Sequence, residues 1–214
     1  MTATDQTQDV ASRSIVGDNW HQLFQPPRWL FHATLVFVGA LAFWSASYPG
    51  GTVLGVMVIP ALGIMVVVWM VRVAVYLWAR RTTAGLASAR WLVAAPLVGL
   101  AVLCLLAVQA PLQVRFALSR SAFERVADRA QPNVAPNVTA ELEVGGRLGW
   151  YSPGRSFQQG DATIVYVNGA NFIDDGGFAH LPDGPFPGLG TAGGMEHPVF
   201  THLTGDWYIW TASW

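Results

Sequence analysis

Hydrophobic positions fill three long stretches of this chain and then break up into short alternating runs. The longest stretch, residues 53–78 (VLGVMVIPALGIMVVVWMVRVAVYLW), opens with nineteen uncharged residues. A helix rising ~1.5 Å per residue needs roughly 20 apolar residues to cross a ~30 Å hydrocarbon core. Soluble core helices rarely keep so many apolar positions in succession, so a transmembrane helix is expected here. Similar runs flank it at 29–48 and 91–114. The pattern thus predicts a membrane protein with three transmembrane α-helices (29–48, 53–78 and 91–114) after a polar tail at 1–28. Trp29 and Tyr48 bracket the first run as interfacial aromatics do, and Pro49-Gly50-Gly51 supplies a tight, chargeless turn into the second. Pro60 is tolerable because a membrane helix can kink and re-satisfy the freed carbonyl, and the third run carries Pro96 and Pro111.

Beyond residue 114 the period changes twice. Phe116, Phe123, Val126 and Ala130 recur at helical spacing. They predict a juxtamembrane helix followed by a Pro-rich linker, together spanning 115–139. Ser121-Ala-Phe-Glu124 matches a capping box, which would start that helix; the alternative is a helix continuing from the membrane. From 140 to 214 the texture is that of a small, mostly-β C-terminal domain. Residues 131–214 hold fourteen Gly and seven Pro between short β-branched and aromatic runs. Strands are expected near 147–151, 162–167, 177–180, 199–203 and 206–213. Asn168-Gly169 and Thr204-Gly205 are the turn signals, and 182–198 is a Gly/Pro loop, either mobile or draped over the sheet. About 75 residues make a thin core by themselves, and packing of the Phe123 helix on the sheet would thicken it.

Charge adds direction. All twelve basic residues are Arg, and residues 1–130 hold ten of them against five acids, whereas 131–214 hold two against eight. The Arg80, Arg81 and Arg90 loop predicts a cytoplasmic side under the positive-inside rule, with a cytoplasmic amino terminus and an extracytoplasmic carboxyl terminus. Arg115, Arg120, Arg125 and Arg129 run against that rule. The expected location is the cell membrane, multi-pass, with the lipid bilayer as one partner. An acidic tail repels a phosphate backbone, so no nucleic-acid partner is expected. Cys104 is the single cysteine, which excludes an intramolecular disulfide.

Three residue sets bear on chemistry. Trp150, Tyr151, Trp207, Tyr208, Trp210 and Trp214 are candidates for a binding platform if their rings share an exposed face, and for the core of a small sheet if they do not. In the last strand Tyr208, Trp210, Ala212 and Trp214 fall on one side, and Trp207, Ile209 and Thr211 on the other. Both sides are apolar, as in a strand buried on two faces or one with an interface left over. His180, His197 and His202, with Asp174, Asp175, Asp183 and Glu196, have metal-binding side chains but no zinc spacing, so no metal site is assigned. Ser119, Ser121, Ser152 and Ser156 lie in no nucleophile elbow, and GGRLG lacks the Lys of a phosphate loop. No catalytic residue and no cofactor are expected.

The hydrophobic amino half, the Leu181-Pro182-Asp183-Gly184-Pro185 turn and the Gly205-Asp206-Trp207-Tyr208 ending resemble uncharacterised small multi-pass membrane proteins of high-GC Gram-positive bacteria. The resemblance implies an integral membrane protein with an outward β module and brings no activity. The leading expectation is a non-enzymatic protein whose β domain binds a protein partner or envelope component. The alternatives are an accessory subunit (or homo-oligomer) that contacts partners through its spans, where Gly39, Gly55 and Gly63 permit close approach, and a metal-dependent hydrolase.

Overall fold

The computed structural model describes residues 29–80, 89–131, 134–170 and 174–213. The expectations for the tail at 1–28, the basic loop at 81–88 and Trp214 lie outside these residues. Among the described residues four α-helices precede the strands: α1 (Trp29–Ala46), α2 (Val53–Arg80), α3 (Ala89–Ala107) and α4 (Ala110–Ala127). Six strands follow: β1 (Thr139–Glu141), β2 (Pro153–Gln159), β3 (Ala162–Val167), β4 (Asp175–His180), β5 (Glu196–Thr204) and β6 (Trp207–Ser213). The chain divides into two compact units. One holds Met1–Gly39 and Ile59–Val102; the other holds Ala40–Val58 and Leu103–Trp214.

Three transmembrane spans are not supported. Among the described residues one helix, Val53–Val75 within α2, is long and apolar enough to cross a membrane, and at most two spans result if a bent pair counts as one. In α1 the apolar part is only Phe31–Ala46, shorter than a full crossing. The expected third span breaks after Ala107. Gln109 takes a left-handed conformation (φ 54°), Pro111 sits in the first turn of α4, and the chain bends by 53°. Proline has no N–H for the i→i−4 ladder, so it starts the next helix more easily than it continues the last. The long helix itself is bare: 6% of its apolar window is buried.

The second unit is built on an antiparallel sheet in the order β1-β2-β3-β4-β6-β5. α4 lies on one face of it. Its Leu112, Phe116, Phe123 and Val126 meet Val165, Val167, Phe178, Trp207 and Ile209 of the sheet, with Leu148 and Tyr151 from the preceding loop. The helical spacing read from the sequence is therefore the buried face of this helix. The capping box is not used as a cap, because α4 begins eleven residues earlier, at Ala110, and Glu124 instead pairs with Arg120 at 2.7 Å. That exposed i,i+4 pair is worth a few tenths of a kcal/mol, roughly 0.3–0.5.

The opposite sheet face carries Phe157, Ile164, Ala179, Trp210 and Ala212, covered by Leu181, Leu189 and Met195. The Gly/Pro loop is thus draped over the sheet. Gln159 holds it there: its side-chain NH2 donates to the carbonyls of Pro136 (2.7 Å) and Gly188 (3.1 Å), and its Oε1 accepts from the Gly190 N–H at 2.8 Å. Its neighbour Gln158 exchanges two 2.7 Å hydrogen bonds with the Gln131 backbone, anchoring the linker. The sheet edges are β1, only three residues long, and β5, whose register shifts twice against β6. Short and bulged edges discourage strand addition.

Four of the five expected strands occur. The run at 147–151 is a turn closed by a Leu148–Tyr151 bridge, and the strand that replaces it, β2, begins at Pro153. The final hairpin closes through Gly205-Asp206, as the Thr204-Gly205 signal suggested.

Phe123 is fully buried and rests against Phe116, Tyr151, Phe178 and Trp207. Phe123→Ala is expected to lower the stability of the detergent-solubilised protein by about 3–5 kcal/mol. Leu118→Ala, on the exposed side of the same helix, should stay within about 0.5 kcal/mol. Denaturant unfolding followed by near-ultraviolet circular dichroism measures both.

Candidate functional site

Five of the seven buried residues of α4 are apolar, yet the helix also buries Ser119 and Arg115, the latter 8% exposed. The residue lies one position before Phe116, so it points beside the core toward the end of α1. The chain leaves α1 there through Ser47, whose hydroxyl donates to the Trp44 carbonyl at 2.7 Å, and turns at Gly50 and Gly51, both at positive φ. Ser45 Oγ fixes the turn by accepting from Thr52 N (3.2 Å) and Thr52 Oγ1 (2.9 Å).

Arg115 knits this turn to the sheet unit. Nη1 donates to Ser47 Oγ at 2.8 Å; Nη2 donates to Tyr48 Oη at 3.0 Å and to the Trp150 carbonyl. The guanidinium carbon stands 4.0 Å from the centroid of the Tyr48 ring, 4.4 Å from Tyr151 and 4.9 Å from Trp44. Aromatic faces attract a cation by roughly 0.5–2 kcal/mol each, which offsets part of the desolvation of the charge. Among the described residues no carboxylate pairs with Arg115, and its buried Nε has no hydrogen-bond partner.

Two neighbours complete the box. Tyr151 is buried, packs edge-on to Tyr48 at 5.9 Å, and donates from its hydroxyl to the Ser47 carbonyl at 3.0 Å. Burial pushes its pKa well above the ordinary value, the Arg115 charge pulls it back less, and Tyr48 adds to the rise. The phenol therefore stays a neutral donor. Trp150 donates its backbone N–H to Ser119 Oγ at 3.0 Å. The preceding Gly149 has φ 58°, and a Cβ there would come within 2.8 Å of the Ser119 backbone, so both small residues are needed for this approach. Beside the box an open hollow of about 400 Å³ is lined by Phe43, Leu105, Pro111, Val114, Leu118 and Trp150 together with Arg115.

The aromatic candidates among the described residues do not assemble into one exposed face. Tyr151 and Trp207 are buried on the helix side of the sheet, Trp210 is buried on the loop side, Tyr208 is half-buried beside it, and Trp150 is 59% exposed at the rim of the hollow. β6 is a strand buried on both faces. The histidines scatter as well. His180 stacks on Trp207 with its Nε2 3.9 Å from Asp206, His202 contacts the Gly205 carbonyl at 2.8 Å, and His197 is exposed at φ 47°. Among the described residues no group of three metal-binding side chains gathers. Ser119 serves Trp150, and Ser156 is buried with its hydroxyl unpartnered.

Sequence reasoning counted Arg115 only as a charge on the wrong side of the positive-inside balance. Its signal was present in the helical register: Arg115 precedes Phe116 and lies four residues from Ser119, on the flank of the buried stripe. No family model, no curated protein and no solved structure matches this chain.

Tyr151→Phe leaves the Ser47 carbonyl without its donor, and a loss of about 1–2 kcal/mol is expected at neutral pH. The folded state holds the Tyr151 proton more tightly than the unfolded chain, whose phenol titrates near 10.0. The stability so contributed is complete below that pH and is lost as pH rises toward the folded-state value. The gap between wild type and Tyr151→Phe should accordingly narrow above pH 10, as read by unfolding midpoints across the alkaline range.

Proposed function

We propose that this chain is an integral membrane protein, held in the bilayer by α2, whose sheet domain stands at the membrane surface as a non-enzymatic binding module. The carrying observation is the bare apolar surface of α2: Met57, Ile59, Ile64, Val67 and Met70 are each more than half exposed. A soluble monomer rarely exposes so large an apolar patch, and lipid or partner helices are what such a surface fits. The Arg-rich loop after α2 favours a cytoplasmic face for that end, which directs the Pro49-Gly50-Gly51 turn outward. Tyr48 beside this turn packs against the core of the sheet domain, which supports the same, extracytoplasmic side for the domain in this reading. The occupant of the module is a protein or envelope component.

A second reading, an accessory subunit that contacts other membrane proteins through its helices, is favoured by the glycines. A Cβ added at Gly39 or Gly63 meets nothing within 4 Å, so these positions leave room for another helix; Gly55 is instead taken up by Ser45 of the same chain.

Alkaline carbonate extraction of membranes should leave the full-length protein in the pellet; release into the supernatant would sink the membrane reading. A reporter fused after Trp214 should be active on the extracytoplasmic side, and cytoplasmic activity would invert the orientation. Crosslinking in membranes followed by sizing in mild detergent separates the two readings, because a strict monomer removes the accessory subunit.

A further inference from the structure

We infer that the outward face of the bend between α3 and α4, together with the hollow beside Trp150, lies in the hydrocarbon of the bilayer. The water boundary then crosses α4 between Leu118 and Ser121. The inference rests on the membrane reading above and deepens it: the sheet unit is seated on lipid acyl chains through one face of its own helix as well as tethered by a span.

Three observations carry it. First, the exposed residues change character at one level of the chain. From Leu103 to Leu118 those facing outward carry no charge, and Leu103, Leu105, Val108, Val114 and Leu118 are each more than two-fifths exposed. From Arg120 to Arg129 every exposed residue is polar: Arg120, Ser121, Glu124, Arg125, Asp128 and Arg129. Trp150 is held at the same level, because its backbone N–H bonds Ser119 Oγ at 3.0 Å and its own ring is exposed. An indole at a step from apolar to charged residues is the mark of a lipid–water boundary.

Second, the backbone at the bend closes its own hydrogen bonds. A helix end leaves carbonyls without intrahelical partners, and in water the solvent can satisfy them. Here the Val108 carbonyl accepts from Gln113 Nε2 at 3.0 Å, although that side chain is exposed. The Gln109 carbonyl accepts from the N–H groups of Leu112 (3.1 Å) and Gln113 (3.0 Å). The N–H groups of Val108 and Gln109 go to the Cys104 and Leu106 carbonyls. A glutamine folded back onto an exposed carbonyl is what a medium without water requires, since an unpaired backbone group there costs several kcal/mol.

Third, the one cation on this part of α4 is turned inward. Both terminal nitrogens of Arg115 are taken by Ser47, Tyr48 and the Trp150 carbonyl, and its Nε is enclosed. The hollow of about 400 Å³ therefore offers the walls of Phe43, Leu105, Pro111, Val114, Leu118 and Trp150, which are hydrocarbon. Acyl chains gain from such walls and ask for no polar partner.

The test places the full-length protein in phosphatidylcholine vesicles, with Cys104→Ala and one new cysteine at a time carrying a nitroxide. Val114→Cys and Leu118→Cys alter exposed positions, so the fold is retained, and near-ultraviolet circular dichroism checks this. Power saturation then reads collisions with oxygen, which gathers in hydrocarbon, and with a polar nickel chelate, which stays in water. Moving polar groups into hydrocarbon costs several kcal/mol, so the oxygen-to-nickel ratio should be at least about tenfold higher at Val114→Cys and Leu118→Cys than at Ser121→Cys and Arg125→Cys. Equal ratios along the helix overturn the inference. So do labels at Val114 and Leu118 shielded from both reagents, because a protein surface then covers the face. Ile64→Cys on α2 separates this result from the membrane reading. A label there that favours oxygen, with one at Leu118 that favours nickel, removes the lipid seat and keeps the anchor; one that favours nickel removes both.

Discussion

Burying a guanidinium with no carboxylate partner among the described residues is the constraint around which the carboxyl-terminal unit is arranged. The cost of taking such a charge from water is several kcal/mol even after relaxation. Here it is met by neutral oxygens and ring faces drawn from distant parts of the chain: Ser47 and Tyr48 at the end of α1, and Trp150 and Tyr151 from the loop before the sheet. Each of these groups is useful to Arg115 only if the others are in place. The turn after α1 cannot shift without abandoning the cation, and the loop at Trp150 cannot shift without losing Ser119 as well. One side chain therefore couples the hairpin turn, α4 and the sheet into a single cooperative unit, in a chain with no disulfide to do so.

The remainder of the unit follows from giving α4 two jobs. Its Phe116, Phe123 and Val126 stripe supplies the hydrocarbon that a sheet of this size lacks, and its flank supplies the cation. Among the described residues the far face of the sheet has no α-helix, only the short 3-10 turn Thr191–Gly193. It is closed by the loop carrying Leu189 and Met195, and two adjacent glutamines hold the coil on either side, since neighbouring strand residues point to opposite faces. A loop tied by side-chain amides rather than by backbone ladders can be rich in Gly and Pro and still cover a core.

These arrangements explain what could be read from the sequence. The period of α4 and the two-sided apolar pattern of β6 were legible because burial alone sets both. The strand β2 was not. Its PGRSFQQ sequence carries a turn dipeptide and four polar residues, and the glutamines are buried only because distant carbonyls satisfy them. The expected strand at 147–151 failed for a related reason: Gly149 must take positive φ to let Trp150 reach Ser119, and that contact is invisible to local propensity. Counting apolar runs gave three spans because a run of apolar letters does not register a bend. Gln109 and Pro111 end α3 and begin a helix whose next turns belong to the sheet.

The same contacts change what the aromatic residues mean. A cluster of tryptophans and tyrosines near a chain end suggests a recognition surface, but a sheet with one helix must spend most of its large rings on core. Tyr151, Trp207 and Trp210 are spent that way, and Tyr48 and Tyr151 also face the guanidinium. Among the described candidates Trp150 is the one left largely exposed, at the rim of an apolar hollow.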